Sequence, residues 1–178
     1  MLFAHDAELS LLSAVALVNS AEDPDTLTTR EELAEFISEQ GYSGRFDGDD
    51  AELDAVRALR PTLRALLTSS REDAVVEVNR LLAESSALPR LVRHGDLDWH
   101  VHAVADDSPL ATRIIVETAM AMIDVIRADE LSRLDVCADP ECNGLVLDLS
   151  RNRSRRFCST TCGNRAAVAA YRARKAQV

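Results

Sequence analysis

Four cysteines, Cys137, Cys142, Cys158 and Cys162, fall within 26 residues and are all the cysteine in a chain of 178. Their spacing is C-x4-C, then fifteen residues, then C-x3-C. Each short pair turns back on itself and presents two thiolates, and an insert of hairpin length brings the pairs together, which is what tetrahedral zinc requires. Two disulfides would need an oxidising compartment, and export is not expected from this sequence. An iron–sulfur cluster also takes four thiolates, but paired spacings around a hairpin favour zinc. A redox switch that releases zinc on oxidation uses the same ligands and stays open. Four protein ligands leave no position for a reactive water, so one structural zinc per chain is expected, and no catalytic residue.

The elements around these ligands follow from the local sequence. Pro140 tightens the first knuckle. Residues 144–149 read as a strand, 150–154 as a turn and 155–157 as the return strand. An alanine-rich helix follows from about Arg165 to Lys175. Knuckle, hairpin and a helix at the last ligands make a treble-clef-like finger. It is crowded with cations: Arg151, Arg153, Arg155 and Arg156 in the turn and return strand, and Arg165, Arg172, Arg174 and Lys175 on the helix. On a strand, Arg151, Arg153 and Arg155 share one face. On a helix, Arg165 and Arg172 share one side, with Lys175 about 80° round and Arg174 opposite. The planar guanidinium can grip phosphate, or guanine O6 and N7, with two hydrogen bonds. Double-stranded DNA is therefore the expected partner, with RNA or protein as alternatives. Neutralising four or five phosphates gives a log–log salt slope of about −4.

The charge is divided. The whole chain carries −10, but residues 1–131 hold 26 acidic and 11 basic side chains, whereas residues 132–178 hold 4 and 9. From Arg151 onward there are eight basic residues and no acidic one. At physiological salt, charges more than about 8 Å apart in solvent are largely screened, so the basic end can act apart from an acidic body. Two domains are expected: an acidic, mostly helical regulatory domain over 1–131 and the basic finger over 132–178.

Ala and Leu dominate and aromatics are only 4%, which favours helix packed on helix. Helical spacing predicts a first helix over 6–19. A second enters through a Thr28/Thr29 capping box and stops at Gly41. The segment 41–50 reads as a loop ending in an N-cap, after which Leu53, Val56, Leu59, Leu63, Leu66 and Leu67 mark a third, long helix that Pro61 should kink or restart. A fourth is capped by Ser70 and buries Val75, Val78, Leu81 and Leu82. Residues 90–94 and 97–104 alternate around Gly95-Asp96 as a β-hairpin, with Trp99, Val101 and Ala103 toward the core and His100 and His102 toward solvent. The two histidines could instead hold a second metal. Ser108 as N-cap and Pro109 at the first helical position open a fifth helix to about Arg127. The run 47–52 reads as a loop and helix N-terminus, without the regular ligand spacing of a calcium loop. A regulator needs an input, and a small-molecule effector pocket between these helices or a homodimer face on 119–126 would supply it. The apolar run 9–18 follows Asp6 and Glu8 instead of a basic segment, and 111–126 is interrupted by charges. Neither reads as a targeting or membrane segment, and a soluble, cytoplasmic protein is expected.

The segment Cys158-Ser159-Thr160-Thr161-Cys162-Gly163-Asn164-Arg165 resembles the signature of the CGNR zinc-finger family. The preceding residues 147–157 fit the same family, with Phe157 where tryptophan is common. The resemblance covers about 132–175. The N-terminal part resembles the ABATE domain that precedes such fingers, through Leu17-Val18-Asn19 and the Thr-Arg-Glu-Glu-Leu entry at 29–33. The resemblance implies a stress-linked transcription regulator with the finger as its DNA-binding part. Gly163 and Asn164 belong to the structural motif. On the residues alone, Asn164 is expected to cap the last helix or hold the cysteine turn, and bonding of Arg165 to knuckle carbonyls or Asp148 is the alternative to its contacting nucleic acid. The alternative reading is a protein-interaction or ligand-sensing module with a purely structural zinc.

Overall fold

Local signals set the helix ends in the computed structural model, which describes residues 3–93 and 98–176. Helix α1 spans His5–Asn19 and α2 spans Arg30–Gln40. The Thr29 hydroxyl accepts from the Glu32 N–H while the Glu32 carboxylate accepts from the Thr29 N–H, a reciprocal cap on two otherwise orphaned donors. Gly41, at φ 70°, ends α2 in the left-handed conformation that a side chain would resist. Asp49 caps α3 (Asp50–Leu67) and Ser70 caps α4 (Arg71–Glu84). Helix α3 passes through Pro61 without the expected restart, because apolar residues on both sides of the proline are held in one core. Helix α5 (Leu110–Arg127) begins one residue later than expected, with Pro109 itself at the cap position. Helix α6 spans Thr160–Ala176.

Helix α5 is the centre of the fold. It packs against α1, α3 and α4, and buries residues on most of its circumference, among them Ile114, Val116, Ala119, Met122 and Val125. The expected homodimer face on 119–126 is thereby corrected: Ala119, Ala121, Met122, Val125 and Ile126 are spent on the interior of one chain. On α4 the inward row is Ala74, Val78 and Leu81, whereas Val75 is 40% exposed. A buried Arg60 on α3 grips the Asp25 carboxylate through both terminal nitrogens, at 2.9 and 3.0 Å. That guanidinium holds the Asp25 carboxyl below the ordinary range.

Two short antiparallel pairs complete the architecture, so the chain is mainly helical with small hairpins. Strand β1 (Arg90–Val92) pairs with β2 (His100–His102), and the expected turn at Gly95-Asp96 lies outside the described residues. The predicted facing of β2 is overturned in part. His100 is 8% exposed and Trp99 64%, while Ala103 is buried as expected. His100 and His102 stack edge to face on the side toward α5, because polar partners there satisfy both rings. Strand β3 (Leu134–Val136) pairs with β4 (Leu145–Leu147). Leu134, Leu145 and Leu147 belong to the same apolar cluster as α1 and α5, so the break in composition near residue 132 is not a break in the core. No helix among the described residues is long and apolar enough to cross a membrane.

Candidate metal centre

The four cysteine sulfurs converge at the end of this shared core, all within 4.8 Å of one another. Cys142 Sγ lies 3.5 Å from Cys158 Sγ, which lies 3.7 Å from Cys162 Sγ. A tetrahedral zinc with bonds of about 2.3 Å sets its sulfurs about 3.8 Å apart, so the donor set fits the ion. A disulfide needs about 2.05 Å, which neither of these two contacts approaches.

Each ligand is placed by backbone chemistry. Cys137 follows β3, and its N–H donates to the Gly144 carbonyl at 2.7 Å. The first knuckle closes with the Cys142 N–H on the Asp139 carbonyl, and the Asp139 carboxylate accepts from the Glu141 N–H. Cys158 precedes α6, and Cys162 sits in its first turn. The Ser159 hydroxyl accepts from the Cys162 N–H at 3.2 Å, the N-cap arrangement. Helix α6 thus starts five residues before Arg165, and Asn164 does not cap it. Asn164 is the fifth residue of α6, exposed, and its side chain makes no hydrogen bond to any described residue.

The surroundings suit thiolate held by a dication. Gly144 N–H points at Cys142 Sγ and Cys158 N–H at Cys137 Sγ, at 3.3 and 3.4 Å. Arg165 Nη2 lies 3.7 Å from Cys162 Sγ. Burial pushes the Cys142 and Cys158 thiols up, while the Ser159 hydroxyl draws Cys162 down. Thiols crowded this way ionise together only with a compensating cation among them. Arg165 also bridges the knuckles, with Nε 2.8 Å from the Asp139 carboxylate and Nη1 3.4 Å from that of Glu141. Its anionic partners are therefore Asp139 and Glu141, not Asp148. Asp139 was not singled out from sequence, although an aspartate two residues into a tight knuckle is a recognisable turn former.

The predicted return strand over 155–157 does not form. The Asp148 carboxylate takes the Ser150 and Arg155 N–H groups, both at 2.8 Å, and Arg153 turns through φ +48°. Burial opposes ionisation of Asp148, but the hydroxyl and N–H of Ser150 with the Arg155 N–H outweigh it and hold the carboxyl below its ordinary value. Strand β4 pairs with β3 instead, which lies ahead of the first cysteine.

The candidate nucleic-acid contacts separate into two sets. Arg153 pairs with Glu130 at 2.8 Å and reaches Ser132, Arg155 Nη2 donates to the Cys158 carbonyl, and Arg165 is committed as above. Arg151, Arg153 and Arg155 consequently do not form one basic edge. Arg151, Arg156, Arg172, Arg174 and Lys175 are exposed, and among the described residues none of them has an ion-pair partner. Lys175 lies over the Tyr171 ring at 5.5 Å. His100 and His102 join no further metal grouping among the described residues: His100 Nε2 lies 3.1 Å from His102 Nε2, and His102 Nδ1 3.1 Å from Asp106.

The helical body holds the metal centre directly. The Asn19 side chain, at the end of α1, accepts from the Leu145 N–H at 2.6 Å and donates to the Leu145 carbonyl at 2.9 Å. Arg64 donates to the Asn143 carbonyl and pairs with Glu22. Gly144 sits in the resulting gap, where a Cβ would lie 3.1 Å from Cys158 Sγ, 3.3 Å from Cys142 Sγ and 3.4 Å from Asn19 Oδ1. Two of these three neighbours are metal ligands with no freedom to retreat. Gly144→Ala is expected to weaken zinc binding at least tenfold in a chelator competition, while Gly163→Ala, whose Cβ would meet Phe157 at an ordinary 3.6 Å, does not.

Two family models match the chain. One is described as the CGNR zinc finger and matches residues 133–175. The other, ABATE, is described as "Putative stress-induced transcription regulator" and matches residues 13–129, about two thirds of the chain. No curated protein matches.

Proposed function

The chain belongs to the ABATE family of regulators and ends in a CGNR zinc finger, and from that membership we propose that it controls transcription by binding duplex DNA through the finger. The observation that supports this reading most is the division of the finger's cations. Arg153 is paired with Glu130, Arg165 with Asp139 and Glu141, and Arg155 donates to the Cys158 carbonyl. Those left uncompensated lie at the outer turn and along the distal half of α6.

The zinc, held by Cys137, Cys142, Cys158 and Cys162, fixes the start of α6 and so the direction in which that helix leaves the finger. Arg172, Arg174 and Lys175 act chiefly as phosphate contacts, and Arg151 and Arg156 flank them. Arg153, paired with Glu130, braces the turn on the body, and Arg165, paired with Asp139 and Glu141, braces α6 on the first knuckle. The role is binding, with no bond made or broken.

Five contacts give a slope of log affinity against log salt of about −4.5. Selection of bound sequences from a random duplex pool, followed by titration of the enriched duplex, tests the reading. The wild type is expected to enrich a motif, and Arg172→Ala/Arg174→Ala/Lys175→Ala to lose binding at least a hundredfold with the slope reduced by about 3. Binding without sequence preference that vanishes at modest salt would point instead to a protein-interaction module with a structural zinc.

A further inference from the structure

A cavity of about 290 Å³ opens between the N-terminal half of α1, the chain just after α2, β2 and the middle of α5. That is near the lower end of the volumes that hold small organic ligands. Its wall is mixed: Leu9, Met120 and Ile123 are apolar, Ser10, Ser13 and Tyr42 are polar, and Asp124 and Arg127 add one charge of each sign.

Glu117 reaches this cavity from α5, half-buried, and makes no hydrogen bond or ion pair with any described residue. A half-buried carboxylate left to cavity water alone is poorly solvated, and a cation is the complement that the protein itself does not supply. The cation one turn away is not available. Arg113 donates to the carbonyls of Ser43, Arg45 and Ser108, which hold its guanidinium on the loop after α2. His100, the ring facing Glu117 from β2, is engaged with the Asp98 carbonyl and with His102. Asp6, the acid on α1, is already held by the N–H groups of Val101 and Ala7. Burial pushes the Glu117 carboxyl up to about 7, with Arg113 and His100 drawing it down only in part. A cation seated in the cavity supplies the missing partner and restores the ionised form.

We propose that this cavity binds a small organic cation, an amine with a short apolar body, its ammonium on Glu117 and its hydrocarbon against Leu9, Met120 and Ile123. The site is independent of what the finger contacts, since no group of the metal centre takes part.

Isothermal titration of the zinc-loaded full chain tests it with n-butylamine, n-hexylamine and 2-phenylethylamine, each against its uncharged alcohol, and with hexanoate as the anion of matched size. At least one amine is expected to bind tenfold or more tighter than its alcohol, and hexanoate more weakly than either. Glu117→Gln is expected to reduce that amine to the level of its alcohol and leave the alcohol unchanged. Equal binding of amine and alcohol means that Glu117 is simply protonated and overturns the proposal, as does failure of every amine to bind at millimolar concentration. Retention of the amine preference in folded Glu117→Gln overturns it too. The comparison of amine with alcohol needs no variant, so it decides the question even where Glu117→Gln does not fold.

Discussion

Cys162→Ser is expected to reduce zinc from one per chain to well below half and to melt the knuckles and α6, while β4 stays on the helical body through Leu145, Leu147 and Asn19. Cys162 is buried, and its sulfur is the one bound into α6 itself, beside the Ser159 cap and the Arg165 guanidinium. Structural zinc contributes about 10–16 kcal/mol of apparent binding free energy in small fingers, and that energy is folding energy. Without the metal the finger's own cluster is Cys137, Val146 and Cys162 with partly buried Cys142, Phe157 and Cys158, which is too little to hold a turn and a helix together. Metal analysis per chain, with far-UV circular dichroism, gives the answer. Ser159→Ala is the control, costing about 1 kcal/mol through the lost cap while keeping the metal. Full zinc in Cys162→Ser with unchanged ellipticity would refute the assignment.

Leu147→Ala is expected to cost 2–5 kcal/mol of global stability, although Leu147 lies in the finger by sequence. On β4 successive side chains face opposite ways. Leu145 and Leu147 enter the cluster built by α1 and α5, and Val146 enters the one around the cysteines. The three are equally buried, at 2% exposure each, so position alone separates their effects. Leu147→Ala should lower the melting temperature of helical body and finger together in one transition, with zinc affinity little changed. Val146→Ala should weaken zinc and leave the body's transition near its original temperature. Chemical denaturation followed separately by ellipticity and by zinc release distinguishes these outcomes. Two well-separated transitions in the wild type would mean that the shared cluster does not couple the two parts.

Features encoded within one turn of helix were legible in the sequence. The Thr29–Glu32 capping box, the stop at Gly41 and the cap at Ser70 needed only neighbours in the chain, as did each of the two cysteine pairs taken singly. Long-range competition decided what was misread. The segment after the arginine-rich turn alternates like a strand, but Asp148 claims the N–H groups that a ladder would need. β2 has the same apolar and polar alternation on either reading, and the Asp98 carbonyl and Asp106 carboxylate satisfy the two rings on the inward side. Arginines spaced alike on paper differ in role because Glu130 and Asp139, distant in sequence, stand beside some of them and not others. The value of Gly144 was invisible for the same reason: two sulfurs and Asn19 meet only after folding.

The wall between β4 and α1 bears on how such a finger can be inherited or reused. A self-contained finger can be copied, repeated in tandem or fused to a foreign protein, because it brings its own interior. This one leaves Leu134, Leu145 and Leu147 bare when lifted out, along with the Leu145 peptide groups that Asn19 satisfies. Grafted alone, it would carry an adhesive apolar face into its new host. Body and finger must therefore travel as one cassette, and a shuffled descendant would need a replacement for α1 before it could use the metal.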